Sequence, residues 1–298
     1  KLDVKFSLRQ MQIFQLVAEH RSVSVAAKEL HMSQSAASMS LAQLESMLGH
    51  PLFIRQGRRM ELTNWGQWLR PRVHELVASC NAIDMGMSTM EVICGRLNLG
   101  ASQTPAEHLV PALISEMDNS FPRLNLTLEV ENTEHVISGL LDYHYDLGII
   151  EGHCDDDRIE RAVWCQDELV IFASANHPYS QQAETRLAQL EMAQWILREQ
   201  GAGTREIFDS CIHEHIAQLR VHREYEYVNV MLAMVSESHY LSCLSYRSVK
   251  PLVESQQVTI LNVPELSMKR DFTFIWRKNE DENPNRTAIL NTARKISE

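Results

Sequence analysis

Apolar residues between positions 7 and 20 recur at helical spacing. Leu8, Met11, Phe14 and Val17 share one side, and Ser7 stands where a cap belongs. A shorter pattern follows, with Ser24 placed to cap a helix whose inner face is Ala26, Ala27 and Leu30. Alanines on that face let a second helix pack closely. His31-Met32 makes a turn. Ser33 caps the next helix, its hydroxyl oxygen accepting an otherwise unpaired amide hydrogen of the first turn. Ala36, Ala37, Leu41, Leu44 and Leu48 form the inner face, and Gly49 closes the helix in left-handed backbone. Gln34, Ser35, Ser38 and Met39 lie near its start or on its outer side. A short basic hairpin comes next, carrying Arg55, Arg58 and Arg59. Residues 1–62 thus predict a helical, winged helix-turn-helix. Ser33, Gln34, Ser35, Ser38 and Met39 are its candidates for meeting DNA base edges, and the three arginines for phosphate or minor-groove contact.

From Thr63 one long helix is predicted to about residue 92. Leu69, Val73, Leu76, Cys80, Ile83, Met87 and Met90 alternate spacings of four and three, an a/d seam held for three heptads. At 1.5 Å per residue the helix would be about 45 Å long. A lone helix could bury this stripe against its own domain, but the even alternation favours pairing with a second chain. Pro71 removes one backbone hydrogen bond and predicts a bend near the start. Residues 93–95, with Cys94-Gly95, look like a hinge. Beyond them strand-like runs alternate with helical patterns: Leu97–Ala101, Leu124–Val130, Tyr145–Ile150, Leu169–Ala173, Trp195–Leu197, Val221–Tyr225 and Tyr240–Leu244. This predicts an α/β arrangement with mostly parallel sheets. Lys278–Arg286 reads as an exposed loop.

The run SQSAAS…LAQLESMLGHPLFIRQGRRMELTNWG resembles the N-terminal signature of the LysR-type transcriptional regulators. The matching positions are Ser33, Gln34, Ala36, Ser38, Leu44, Glu45, Leu48, Gly49, Leu52, Phe53, Arg55, Arg58, Leu62, Thr63 and Gly66. Met39 and Ala42 stand where many members carry arginine, so the recognition helix offers no guanidinium to guanine. Gln34 can pair with adenine and the helix's methyl groups can meet thymine methyls, which predicts an A/T-containing site. The resemblance implies a linker and dimerisation helix over 63–92, then an α/β effector domain of two subdomains similar to periplasmic binding proteins. Subdomain I would hold 96–164 and 268–298, and subdomain II 165–265. The return of the tail to subdomain I is itself an implication of the resemblance. So is a homotetramer built as a dimer of dimers; the seam alone argues only for pairing. Double-stranded DNA and further copies of the chain are the implied partners, with RNA polymerase left open.

Charge sharpens this division. The net charge of −11 is at odds with a DNA binder. Residues 1–72, however, hold ten Lys and Arg against five Asp and Glu, and the remaining residues eighteen against thirty-four. A weakly basic head on an acidic body fits a DNA module joined to a different one. No run of 18 apolar residues suggests a membrane span, and KLDVKFSLRQ lacks the apolar core of a secretion signal, so a cytoplasmic location is expected. The six cysteines, Cys80, Cys94, Cys154, Cys165, Cys211 and Cys243, have no C-x-x-C spacing, which argues against a disulfide framework or structural zinc.

Ligands of open α/β sheets sit beyond the C-terminal ends of parallel strands, where helix N-termini gather and favour anions. The strand exits supply Ser102, Gln103, Thr104, Thr133, Glu151, Arg198, Gly203, Thr204 and Arg205 as effector-binding candidates. LREQGAGTRE is the best anion clue: two glycines allow close backbone approach, Thr204 offers a hydroxyl, and Arg205 follows in the first helical turn. It resembles an L-R-E-x-G-S-G-T-R segment of several LysR-type regulators. With DLGIIEG at 146–152 it resembles the YeiE-like subgroup, near regulators of sulfur and carbon assimilation. That implies a small oxoanion such as sulfite or sulfate, or a small carboxylate. The plain alternative is a loop and cap, with Arg205 paired to a surface carboxylate. Glu151 would repel a bare anion unless protonated or turned away.

Other chemistry has little support. His213-Glu214-His215 lacks the H-E-x-x-H spacing, so no metal site is expected despite thirteen histidines. No nucleophile elbow, P-loop or dinucleotide fingerprint is present, so neither an enzyme nor a cofactor is expected. Cysteine oxidation or a larger organic effector remains the alternative trigger. A solute-binding protein and a nucleoid-packaging protein are the rival classes. The N-terminal DNA module opposes the first, and footprinting would separate the second.

Overall fold

The computed structural model describes residues 4–57, 59–89, 92–278, 280 and 282–297. Two compact units emerge: residues up to Gly95 with Asp142–His144, and Arg96–Leu141 with Tyr145–Glu298. No helix among the described residues is long and apolar enough to cross a membrane.

The first unit begins with α1 (Leu8–His20), α2 (Val23–Glu29) and α3 (Gln34–Leu48). Ser7 caps α1 reciprocally with Gln10. Met11, Phe14 and Val17 are buried, whereas Leu8 is exposed rather than part of the inner side. The cap of α2 is Ser22, not Ser24: the Ser22 hydroxyl accepts the Val25 N–H at 3.4 Å, leaving Ser24 inside the first turn. His31 turns the chain with a φ of 53°. Ser33 accepts the Ala36 N–H at 3.2 Å, and Gly49 closes α3 with a φ of 77°. The wing is β1 (Phe53–Gln56) against β2 (Arg59–Leu62), antiparallel with Gln56 opposite Arg59. Phe14 and Phe53, 5.3 Å apart, lie in the core with Ala26, Ala37, Leu41 and Leu44.

Thr63 starts α4 (Asn64–Thr89), its hydroxyl accepting the Gly66 N–H at 3.1 Å. The helix continues through Pro71. Its seam divides: Val73 is buried and Leu69 half-buried in the head's own core, while Leu76, Ile83 and Met87 are exposed. Met90 lies outside the described residues.

In the second unit the first lobe contains β3 (Gly95–Ser102), α5 (Gln103–His108), α6 (Val110–Ser120), β4 (Leu124–Glu131), α7 (Thr133–Leu141) and β5 (Leu147–Glu151). The long β6 (Ile159–Ser174) then passes into the second lobe. There follow α8 (Leu187–Met192), β7 (Gln194–Arg198), α9 (Gly203–His213), β8 (Arg220–Tyr225), α10 (Val228–Ser236), β9 (Ser242–Ser245), α11 (Tyr246–Glu254) and β10 (Val258–Ile260). Strand β11 (Lys269–Arg277) returns to the first lobe, and α12 (Pro284–Ser297) packs on α6 and β6.

The main sheet runs β10-β6-β11-β5-β3-β4, with β9 also on β6. The pairs β3–β5 and β7–β8 are parallel. The expected mostly parallel sheet is corrected by β6 and β11: they cross between lobes in opposite directions and pair antiparallel with each other, β5, β9 and β10. Apolar clusters around Val136, Tyr145 and Ile275, and around Trp195, Phe208 and Leu241, fill the two lobes. Within Lys278–Arg286, of which residues 279 and 281 lie outside the described residues, the described part is more than an exposed loop. The Glu280 carboxylate is mostly buried, 2.5 Å from Arg277 and 3.2 Å from Arg286.

Candidate DNA-reading surface and effector cleft

The head presents α3 by tying its far end to the wing. Glu45 accepts the Leu52 and Phe53 N–H groups at 2.7 and 3.1 Å, joining the last turns of α3 to the start of β1. Thr63 donates to the Pro51 carbonyl at 2.7 Å, and its own N–H reaches the Leu52 carbonyl at 2.9 Å. A side chain at Gly66 would run into that same Leu52 carbonyl, so only glycine lets α4 start so close. With the helix held this way, Ser33, Gln34, Ser35 and Met39 are exposed and Ser38 is half-buried. Gln34 donates to Ser38 at 3.3 Å, and Met39 is 66% exposed. Arg55 and Arg59 project from the wing, while Arg58 lies outside the described residues.

The effector candidates mostly converge where the lobes meet. Ser102, at the end of β3, accepts the Glu151 N–H at 3.1 Å. Thr133, opening α7, donates to the Glu151 carbonyl at 2.6 Å. From the opposite lobe Gly203 abuts that carbonyl so tightly that a Cβ would overlap it. Thr204 donates to Glu151 Oε1 at 3.1 Å. The first amides of α7 are already committed: Glu134 donates to the Gly201 carbonyl at 3.1 Å and His135 to Asn132 Oδ1 at 3.0 Å.

The cationic centre of this junction is Arg270, which the strand-exit reading did not pick out. It stands directly opposite Asp167 in the β6–β11 ladder. Arg270 Nε donates to Asp167 Oδ2 at 2.8 Å, Nη1 to Thr204 at 2.9 Å and Nη2 to Thr104 at 3.3 Å. Both charged side chains are only 1% exposed. Asp167 also accepts from Ser245 at 2.8 Å and lies 3.5 Å from Arg247. One guanidinium on a crossover strand therefore touches a hydroxyl from each lobe. A low-dielectric setting strengthens these charge-assisted bonds and makes an unpaired member costly. The available signal was an arginine and an aspartate interrupting apolar strand runs, in MKRDFTF and CQDELVIF.

The remaining candidates lie behind or beside this junction. Arg205 donates to Asp209 at 2.8 Å, Glu224 at 2.6 Å and the Arg198 carbonyl at 2.8 Å, bracing the first turn of α9 against β7 and β8. Arg198 forms a two-pronged pair with Glu199 at 2.8 and 2.9 Å. Gln103 turns to Glu107 at 2.8 Å.

Four of the six cysteines are poorly suited to oxidation. Burial raises the pKa of the Cys154, Cys165, Cys211 and Cys243 thiols, opposing the thiolate that oxidation needs. Among the described residues no group of three or more His, Cys, Asp or Glu could hold a metal ion.

A helix-turn-helix with a wing, a long helix and a two-lobed α/β module with a polar junction together make the architecture of a DNA-binding regulator with an effector-binding domain. Residues 8–67 match the "Bacterial regulatory helix-turn-helix protein, lysR family", and residues 91–296 match the "LysR substrate binding domain". The chain belongs to the LysR family of transcriptional regulators. It is 33% identical over 271 residues to the "Uncharacterized HTH-type transcriptional regulator YeiE" of Escherichia coli (strain K12), covering 91% of this chain and 90% of that protein. A full-length OxyR variant from Pseudomonas aeruginosa has a similar fold, with a TM-score of 0.75 at 19% identity over 98% of this chain and 96% of that one. The Synechocystis PCC6803 CcmR regulatory domain in complex with 2-PG has a TM-score of 0.63 at 22% identity, over 68% of this chain and 98% of that one.

Proposed function

We propose that this regulator is controlled by a small anion, an oxoanion such as sulfite or sulfate or a small carboxylate, seated at the lobe junction. The carrying observation is Arg270, whose guanidinium bonds Thr104 of one lobe and Thr204 of the other. A ligand engaging both hydroxyls and that cation would have different affinities for open and closed lobes, the condition for shifting any equilibrium. Ser102, Thr133 and Gly203 shape the surrounding backbone, while Arg198 and Arg205 support the α9 end. The complex of a similarly folded domain with 2-PG supports a ligand bound by this module.

On the DNA side, Gln34, Ser35, Ser38 and Met39 read bases, preferring an A/T-containing site, and the wing arginines hold phosphates. The exposed Leu76, Ile83 and Met87 of α4 meet the same helix of a second copy, placing two recognition helices on two half-sites. A tetramer, a cytoplasmic location, a purely regulatory role without catalysis or cofactor, and division of the effector domain near 164 and 268 complete the proposal.

Calorimetric titration with sulfite, sulfate, phosphate and small carboxylates tests the effector reading. Saturable binding of one anion, weakened by Thr204→Val, is expected. Equal binding by wild type and variant would place the anion elsewhere.

A further inference from the structure

We infer that Glu151 is a built-in competitor for the effector: its carboxylate occupies the anion position of the junction until an external anion displaces it. The inference rests on the junction being the effector site. Glu151 is 1% exposed at the end of β5, yet it has no full set of partners. Oε1 accepts from Thr204 at 3.1 Å. Oε2 lies 3.3 Å from Arg270 Nη2, within ion-pair range but without hydrogen-bond direction, and accepts no hydrogen bond.

A carboxylate thus faces the donor set that an oxoanion would use: the Arg270 fork and the Thr204 hydroxyl in the first turn of the eleven-residue α9. The second carboxylate on Arg270, Asp167, is tied by Ser245 and Arg270 and is opposite it in the ladder, so it cannot leave without disturbing β6 and β11. Glu151 is held by one hydroxyl and an ill-directed charge contact, and is the member that can be exchanged.

Exchange has a mechanical consequence. Glu151 belongs to the first lobe and Thr204 to the second, so their bond is a clasp between lobes. An arriving anion takes over Thr204 and Arg270 and releases the β5 end from α9. Repulsion between Glu151 and the ligand makes the anion's affinity modest until that carboxylate moves aside. The regulator then responds to high rather than trace anion levels.

The experiment is calorimetric titration of the full chain with inorganic phosphate and with sulfate. Wild type is compared with Glu151→Gln, Glu151→Asp and Arg270→Lys, with thermal melting to confirm folding. Removing the competing charge in Glu151→Gln should tighten binding about tenfold or more, the size of an ordinary coupling between ligands. Glu151→Asp, which shortens the reach to Arg270, should fall between, and it carries the comparison should the Gln variant not fold. Arg270→Lys should weaken binding. Unchanged or weaker affinity in Glu151→Gln, with wild type still binding, would overturn the competitor role and leave the effector site standing. No binding by wild type or any Glu151 variant would remove both.

Discussion

The head and the lobe junction solve the same problem, holding polar groups in place, by opposite means. In the head the constraints are local and the polar groups are exposed or half-buried. Ser33 caps three residues ahead, and Glu45 reaches seven and eight residues on to Leu52 and Phe53. At the junction the constraints are remote and buried. Arg270 bonds Thr204 and Thr104 across sequence separations of 66 and 166 residues. A local device fixes the surface that α3 and the wing present. A remote one ties two lobes together, and its bonds are those that the ligand proposed for the junction would exchange.

The largest expected break in this comparison is at Arg270. Arg270→Met would leave Asp167 and Glu151 buried without their shared cation. It should destabilise the effector unit by about 3–5 kcal/mol while sparing the head. Urea unfolding followed by probes in each unit would check this, and equal loss in both would contradict it. Next come the two glycines that permit close approach. Gly66→Ala should destabilise the head and Gly203→Ala the lobe junction, each by about 1–3 kcal/mol, because backbone rather than a movable side chain blocks the added methyl. Calorimetric melting that leaves either unit unchanged would show that the close approach can relax.

A smaller difference concerns the cap of α2. Ser22→Ala should cost about 1 kcal/mol of head stability, against less than about 0.5 kcal/mol for Ser24→Ala. Reversed values would restore Ser24 as the cap. The smallest is a pH effect in the second lobe. Buried His177 accepts the Tyr179 N–H at Nδ1, 3.1 Å away, and desolvation lowers its pKa. The unfolded chain therefore binds the proton more readily. The stabilisation is fully present above the unfolded value of about 6.5 and is lost as pH falls through the lower folded value. Melting temperatures should drop below pH 6.5 in wild type and less so in His177→Gln.

Legibility follows the same division. Ser7, Ser33 and Gly49 announce helix ends because a cap acts within a few residues, and the strand runs from Leu97 to Leu244 match observed strands. Ser24 was a plausible neighbour of the true cap, and sequence alone cannot choose between two serines two positions apart. The return strand β11 came through family resemblance, since nothing local to Lys269–Arg277 names β6 as its partner. Ser102, Thr104, Thr133, Glu151, Gly203 and Thr204 were visible as strand exits and do meet at the junction. Arg270 was not visible. Its role depends on a crossover that brings together residues from three distant segments. For Arg205, the sequence showed an arginine in a helix's first turn but not the Asp209 and Glu224 carboxylates that take up its charge.

The most direct measurement is calorimetric titration of the full chain with sulfite, sulfate, phosphate and small carboxylates, alongside Arg270→Lys, which keeps the charge but loses the fork. With the effector at the junction, one anion saturates and its affinity falls about tenfold or more in the variant, the loss of at least one charge-assisted bond. An anion that binds both proteins equally would contradict it and move the effector away from the lobe junction.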